Sequence, residues 1–429
     1  MLCRVRASSL AGGKSCLRVC AVPAVALALA GCGSATSGAI GASAEAPPTS
    51  CPATVLHTLG RVLARVYHEG VSSERTASAR HLIEASLPLR RAVEQGSATA
   101  ATAAARELVA GGHMTNLRVL RATHVLAHVG GAAVTPIGGT INDAQGRPIG
   151  TYRTSVWSDE GLVAEGDGVT EGNVVLRAGE RQIAGSLKLA PGPLAREGTV
   201  TIGHVDYQYS SFPGEAYPSG ALSVYVLRPV SSTSALCGHS AEDTTVNTLA
   251  RIARLIYAGE AGGRTLTQVR RVQHDPALLQ AVALRDPLAS RRAAEALLHQ
   301  HLVRLRVLAA DGSLLVDDGG PFVLAPVTAP LHLGGRRIGS VVVSIQDDEG
   351  YKRLTGRLAG LDVLMYMAPT QPGGPPRLVK NSLGPSPGNV PASGSYTYRG
   401  RNFRVFTVHE RAFPAGPLTV RVLVPVPYS

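Results

Sequence analysis

Residues 305–350 read LRVLAADGSLLVDDGGPFVLAPVTAPLHLGGRRIGSVVVSIQDDEG, and their landmarks have all occurred once before, between residues 117 and 161. Leu117-Arg118-Val119-Leu120 returns as Leu305-Arg306-Val307-Leu308. Gly130-Gly131 returns as Gly319-Gly320, Ile149-Gly150 as Ile338-Gly339, and Asp159-Glu160-Gly161 as Asp348-Glu349-Gly350. The last three pairs keep one offset, 189, without a gap. Working outward, Thr58-Leu59 with Arg61 and Tyr67 matches Thr248-Leu249 with Arg251 and Tyr257. Val226-Leu227 and Pro229-Val230 match Val422-Leu423 and Pro425-Val426, and Cys51 and Cys237 open their respective copies. Self-similarity held in order along a chain marks one structural unit written twice. The copies are expected to span 51–230 and 237–429.

The second copy carries the cleaner pattern. Val246, Leu249, Ile252, Ala253 and Ile256 fall at helical spacing between Thr245 and Tyr257. A second helix is expected over Thr265–Leu284. A third starts at Pro287, capped by Asp286, and runs to His301. The period then changes to that of strands, over Val303–Val307 and Leu314–Asp317 around the turn signal Ala310-Asp311-Gly312. Phe322–Leu333 and Ile338–Ile345 flank Gly334-Gly335 as a hairpin. Asp347-Asp348-Glu349 begins a helix through Leu358, its acids placed where the helix dipole favours them. Strands are expected again over Leu361–Met367, Ser395–His409 and Leu418–Val424.

This order, with short hairpin links, gives an α+β fold whose antiparallel sheet carries N-terminal and covering helices. It resembles the Cache domain, the extracytoplasmic relative of the PAS domain, over most of 237–429 and, through the repeat, 51–230. The Asp-Gly turn and the hairpin Gly334-Gly335-Arg336-Arg337-Ile338-Gly339 carry the likeness. Arg153 and Trp157 match part of the signature of amino-acid-binding Cache domains, but the second copy has Val342 and Gln346 there. The resemblance implies a ligand pocket between the sheet and the elements covering it. Tyr351, Tyr366, Arg404 and His409 lie on elements that would border such a space and are the candidate ligand-binding residues.

The N-terminus reads as an address. Arg4, Arg6, Lys14 and Arg18 precede a small, apolar run from Val19 to Ala30. That is the layout of a secretory signal, too short for a spanning helix of roughly 20 residues. It closes on Leu29-Ala30-Gly31-Cys32, which resembles the lipobox of bacterial lipoproteins. The resemblance implies removal of 1–31 and acylation of Cys32, with 32–50, rich in Gly, Ser, Ala and Pro, as a flexible tether. No later segment reads as membrane-spanning, so the expectation is an extracytoplasmic protein held to the cell membrane by lipid alone. Cys51 and Cys237 remain as an even pair in an oxidising compartment, where disulfides form. Copies packed side by side could bring them within the ~6 Å Cα separation a disulfide requires; copies packed end to end could not.

Charge is uneven. Residues 51–236 hold 16 basic and 15 acidic side chains, whereas 237–429 hold 22 and 14. The second copy therefore carries nearly all the surplus, with Arg399, Arg401, Arg404 and Arg411 along one expected strand and its ends. The counterpart in the first copy, around His204–Phe212, has Asp206 and no arginine. An arginine fork pairs with carboxylate or phosphate, so a small anionic ligand, or an acidic partner, is expected on the second copy. The other reading of such a basic face is a solvated one. No nucleic acid is expected, because basic runs interleaved with aromatics are missing.

Other motifs carry little. Gly12-Gly13-Lys14-Ser15 lacks the first glycine of a phosphate loop, having Ser8 there, and sits in the leader. His124 and His128 have the spacing of helix-borne metal ligands but fall on an expected strand. Asp347, Asp348 and Glu349 lack the spaced oxygens of a cation loop. No metal, cofactor or catalytic residue is expected. The expected function is a lipid-anchored sensor-like protein that binds a small molecule without chemistry and acts through an envelope protein partner. A structural or adaptor lipoprotein and an envelope hydrolase are the alternatives.

Overall fold

A computed structural model describes residues 50–428, apart from 113, 300–301, 368–373 and 415. The expected leader, the tether with Cys32, and His301 lie outside the described residues. Each copy opens with a long helix, Cys51–Ser72 and Ala241–Gly259. Ser50 and Ser240 cap them, accepting hydrogen bonds from the backbone NH groups of Ala53 and Asp243. Three shorter helices follow in each copy: Glu74–Ala85, Leu87–Gln95 and Ala98–Ala110 in the first, Gly263–Gln273, Pro276–Ala283 and Pro287–Leu298 in the second. The single helix expected over Thr265–Leu284 is thus two. Asp275 breaks it by capping Leu278 before Pro276, the same device by which Asp286 caps Leu288 and Ala289 before Pro287.

The strands depart from the expected single sheet per copy. Each copy has one four-stranded and one seven-stranded antiparallel sheet with the same strand order in both copies. The stretch Phe322–Leu333, expected as one strand, belongs to both. Val323–Leu324 joins the larger sheet and Val327–Leu333 the smaller. Between them Ala325 takes φ 48° and Pro326 follows, so the ladder breaks there. Ser395–His409 is likewise a hairpin, Gly394–Tyr398 and Arg401–Phe413, turning at Arg399 and Gly400 with φ 49° and 76°. The Gly334-Gly335 hairpin and the helix Asp348–Ala359, capped by Asp347, form as the sequence indicates.

The copies share a core. Leu59, Leu63 and Val66 of the first long helix and Leu249, Ile252 and Ile256 of the second belong to one buried cluster. It also takes in Leu162 and Leu358, from the helices Asp159–Thr170 and Asp348–Ala359, and Val224, Val226, Val420 and Val422 from the two seven-stranded sheets. Four helices therefore pack between two large sheets. Each four-stranded sheet keeps a separate core with its own short helices. The side-by-side arrangement brings Cys51 and Cys237 together in a disulfide, Cα atoms 5.6 Å apart. Ion pairs also join the copies, Glu69–Arg357, Glu74–Arg353 and Glu171–Arg251 among them.

Candidate functional site

The four residues nominated from sequence do not converge. Tyr351 is 1% exposed, inside the shared core, where its hydroxyl donates to the Ala253 carbonyl at 3.1 Å and its ring meets Tyr257 edge-on. Tyr366 lies on the outer face of the large sheet, with the Arg421 guanidinium 4.6 Å from its ring centre. Arg404 is on the inner face of its strand and grips the first turn of the long helix, 2.9 Å from Glu242 and 2.8 Å from Asp243. His409 is exposed, 3.4 Å from Thr419. Side chains alternate faces along a strand, so Tyr366 and His409 are turned away from Arg404.

A recess does exist in the second copy, where the two sheets meet the end of the long helix. It encloses about 580 Å³, within the range of small-molecule sites. Tyr257 reaches it from the helix, Thr328 and Val342 from the small sheet, and Glu410, Arg411 and Phe413 from the large one. The geometry follows from the strand break at Ala325-Pro326, because a chain that changes sheet leaves a notch at the change. Tyr257 fixes the notch. Its hydroxyl accepts from the Ala325 NH at 3.0 Å and donates to the Arg411 carbonyl. Burial pushes its pKa up to about 12, so it stays a neutral donor.

Charge in the recess is arranged on two sides. Burial raises the Glu410 carboxyl above its ordinary range, with Arg254 pulling the other way. The Arg411 guanidinium is exposed and has no pairing partner among the described residues. Behind the recess, Phe413 lies beneath Arg304 and Arg306, 5.3 and 4.3 Å from its ring centre. Both arginines also bond Asp317, at 2.7 and 3.0 Å. That triad joins the small sheet to the large one.

The first copy supplies an internal comparison. Strand pairing sets Glu215 opposite the position of Arg411, and Arg153 opposite that of Val342. There Arg153 and Glu215 form an ion pair that spans the two sheets. Arg118 donates to the Tyr217 hydroxyl at 3.2 Å, and His128 meets the Tyr217 ring edge-on. Tyr67 plays the part of Tyr257, bonding the Glu215 NH and carbonyl. The second copy keeps neither member of that pair: Val342 takes the place of Arg153, and Arg411 puts a cation where the first copy has the Glu215 carboxylate.

Sequence reasoning singled out Tyr257 as a repeat landmark and Arg411 as part of the arginine surplus, without joining them. Glu410 gave no signal, because its counterpart Gly214 is as ordinary as it is. Arg153 and Trp157, matched to an amino-acid-binding signature, are committed elsewhere: Arg153 to Glu215, and Trp157 to the close approach of Gly70.

Among the described residues, no helix is long and apolar enough to cross a membrane. No protein-family model matches the chain, and no curated protein does. Among solved structures it is similar to an extracellular ligand binding receptor from Desulfohalobium retbaense DSM5692, at 12% identity and a TM-score of 0.22. The match covers 53% of this chain and 47% of that one, so the chain matches about half the length of that receptor, and so low a score bears on neither fold nor ligand.

Proposed function

We propose that this is a lipid-anchored extracytoplasmic binding protein whose second copy takes a small organic acid in the recess beside Arg411. The observation that supports it is the unpaired Arg411 guanidinium at a position where the first copy holds an ion pair. The ligand's carboxylate takes the place that an acidic side chain would fill, and Tyr257, Thr328 and Phe413 supply polar and apolar walls. No bond is made or broken in this reading. The protein is held through Cys32, and occupancy is passed to an envelope protein partner across the shared helical core, since both long helices are packed in it.

A panel of small mono- and dicarboxylates, screened by thermal shift on the intact mature protein, tests this. A ligand at 100 times its dissociation constant adds roughly 2.7 kcal/mol of stability. Arg411→Ala is expected to weaken the responding acid by at least about tenfold, the loss of one charge-assisted hydrogen-bonded pair. Arg153→Ala, at the equivalent junction of the first copy, is expected to leave it unchanged. Stabilisation by neutral or cationic compounds only, or equal sensitivity to both substitutions, overturns the reading.

A further inference from the structure

At the other end of the small sheet from the recess, the second copy ends in an apolar, basic tip. Leu308 and Pro330 both pair with Ser340, one on either side of it, so the turns at 310–313 and 334–335 leave the sheet at the same end. Arg285 reaches Asp311 at 3.0 Å and brings the junction of the last two short helices to the same place. Four leucines protrude there: Leu284 at 71% exposure, Leu288 at 72%, Leu314 at 57% and Leu333 at 46%. Exposed leucines scattered singly need no explanation, but four on three adjoining turns form a patch. Arg291, Arg292, Arg336 and Arg337 surround them, all exposed and without a partner among the described residues. Leu288, Arg291 and Arg292 share one face of their helix, being three and four residues apart.

The first copy lacks this tip. Its corresponding turns are Gln95-Gly96-Ser97, Ala122-Thr123 and Asp143-Ala144-Gln145-Gly146-Arg147, with no leucine; Val125, 44% exposed, stands in the place of Leu314, and Asp143 bonds Arg147 at 2.7 Å. Folding of the repeat therefore does not require the leucines or the arginines. We infer that the tip of the second copy is a docking surface for an anionic phospholipid membrane. Four protruding leucines among four exposed arginines match the layered chemistry of an anionic bilayer, apolar beneath and negatively charged at the surface. They are suited to entering the boundary between headgroups and acyl chains, where leucines leave water and arginines meet phosphate. The surface is separate from the recess and does not depend on it.

The test uses the mature chain carrying Cys32→Ser, which removes any contribution of an acyl chain, sedimented with phosphatidylcholine vesicles with and without phosphatidylglycerol. Binding is expected only with phosphatidylglycerol, and it should fall as salt rises. Arg336→Ser with Arg337→Ser is expected to weaken partition by roughly 25-fold, about fivefold for each arginine near the surface. Leu284→Ser with Leu288→Ser should abolish it. Both pairs are exposed, so unchanged thermal unfolding shows that the variants are folded. A Leu288→Trp variant should show a blue-shifted emission on the same vesicles. Absence of phosphatidylglycerol-dependent binding, or binding that survives both pairs of substitutions, overturns the inference. So does retention of the protein by an acidic polypeptide column but not by vesicles.

Discussion

Glu410 sits next to Arg411 in the recess and is turned to the helix side, where the positive charge of Arg254 acts on it. Burial is the larger influence, so its carboxyl binds a proton at higher pH than an exposed glutamate would. An anion arriving next door favours the protonated form further. Affinity for an organic acid should therefore rise as pH falls through the Glu410 titration, as long as the ligand itself stays ionised. The size of the effect is on the order of a few-fold, for two charges several ångströms apart at the protein surface. Glu410→Gln should bind at all pH values as the wild type does at the acidic end, with a flat profile in calorimetric titrations from pH 5 to 8. A profile unchanged by that substitution would place the titrating group elsewhere. Arg411 itself was visible in the sequence as surplus charge. What made it a site, an arginine in the place of Glu215 facing Val342 in the place of Arg153, is a statement about two strands and could not be read from either alone.

The same exchange of partners occurs where the long helix meets the sheet junction. In the first copy Gly70 lets Trp157 and Thr135 come close: a Cβ on Gly70 would lie 2.0 Å from the Thr135 Oγ1 and 2.5 Å from the Trp157 ring. In the second copy Glu260 stands at the place of Gly70, Ala325 at that of Thr135, and Gln346 at that of Trp157, with Glu260 hydrogen-bonded to Gln346. Large against small in one copy becomes medium against medium in the other. This is why the second copy departs from the arginine-and-tryptophan pattern: Gln346 is what fits beside a side chain at 260. Gly70→Ala should cost about 2 kcal/mol in urea unfolding, as overpacking does. Added to Thr135→Ala with Trp157→Ala it should cost much less than that, because the new methyl then meets neither the Thr135 hydroxyl nor the Trp157 ring. Simple additivity would mean that Gly70 is needed for some other reason. Element order was legible because caps and turns are local: Asp286-Pro287, Gly334-Gly335 and Asp347 announce themselves. The division into two sheets was not legible, because Val323–Leu324 and Val327–Leu333 read as one apolar run, and only the φ of Ala325 separates them.

Across the whole molecule, duplication has produced one folding unit rather than two beads. The long helices of both copies, Cys51–Ser72 and Ala241–Gly259, bury Leu63 and Ile252 in one cluster with both large sheets. Neither copy could expose its half of that cluster without losing the partner's. Unfolding should therefore be a single cooperative transition in calorimetry, not one per copy. The disulfide acts on the same interface. It joins residues 186 apart in sequence, and closing so long a loop limits the unfolded chain, by up to roughly 5 kcal/mol in the chain-entropy model. Cys51→Ser with Cys237→Ser should lower the melting temperature by several degrees or more while leaving one transition, because the helices, not the sulfurs, carry the cooperativity. Acid should act in the same direction. The hydrogen bond from Arg251 holds the Glu171 carboxyl below its ordinary range. Its contribution is then present above the unfolded glutamate pKa of about 4.3 and is lost as pH falls through the lower folded value. Glu171→Gln should remove part of that acid sensitivity. If the cysteine variant instead melts in two resolved steps, the disulfide rather than the shared core is what makes the copies one body.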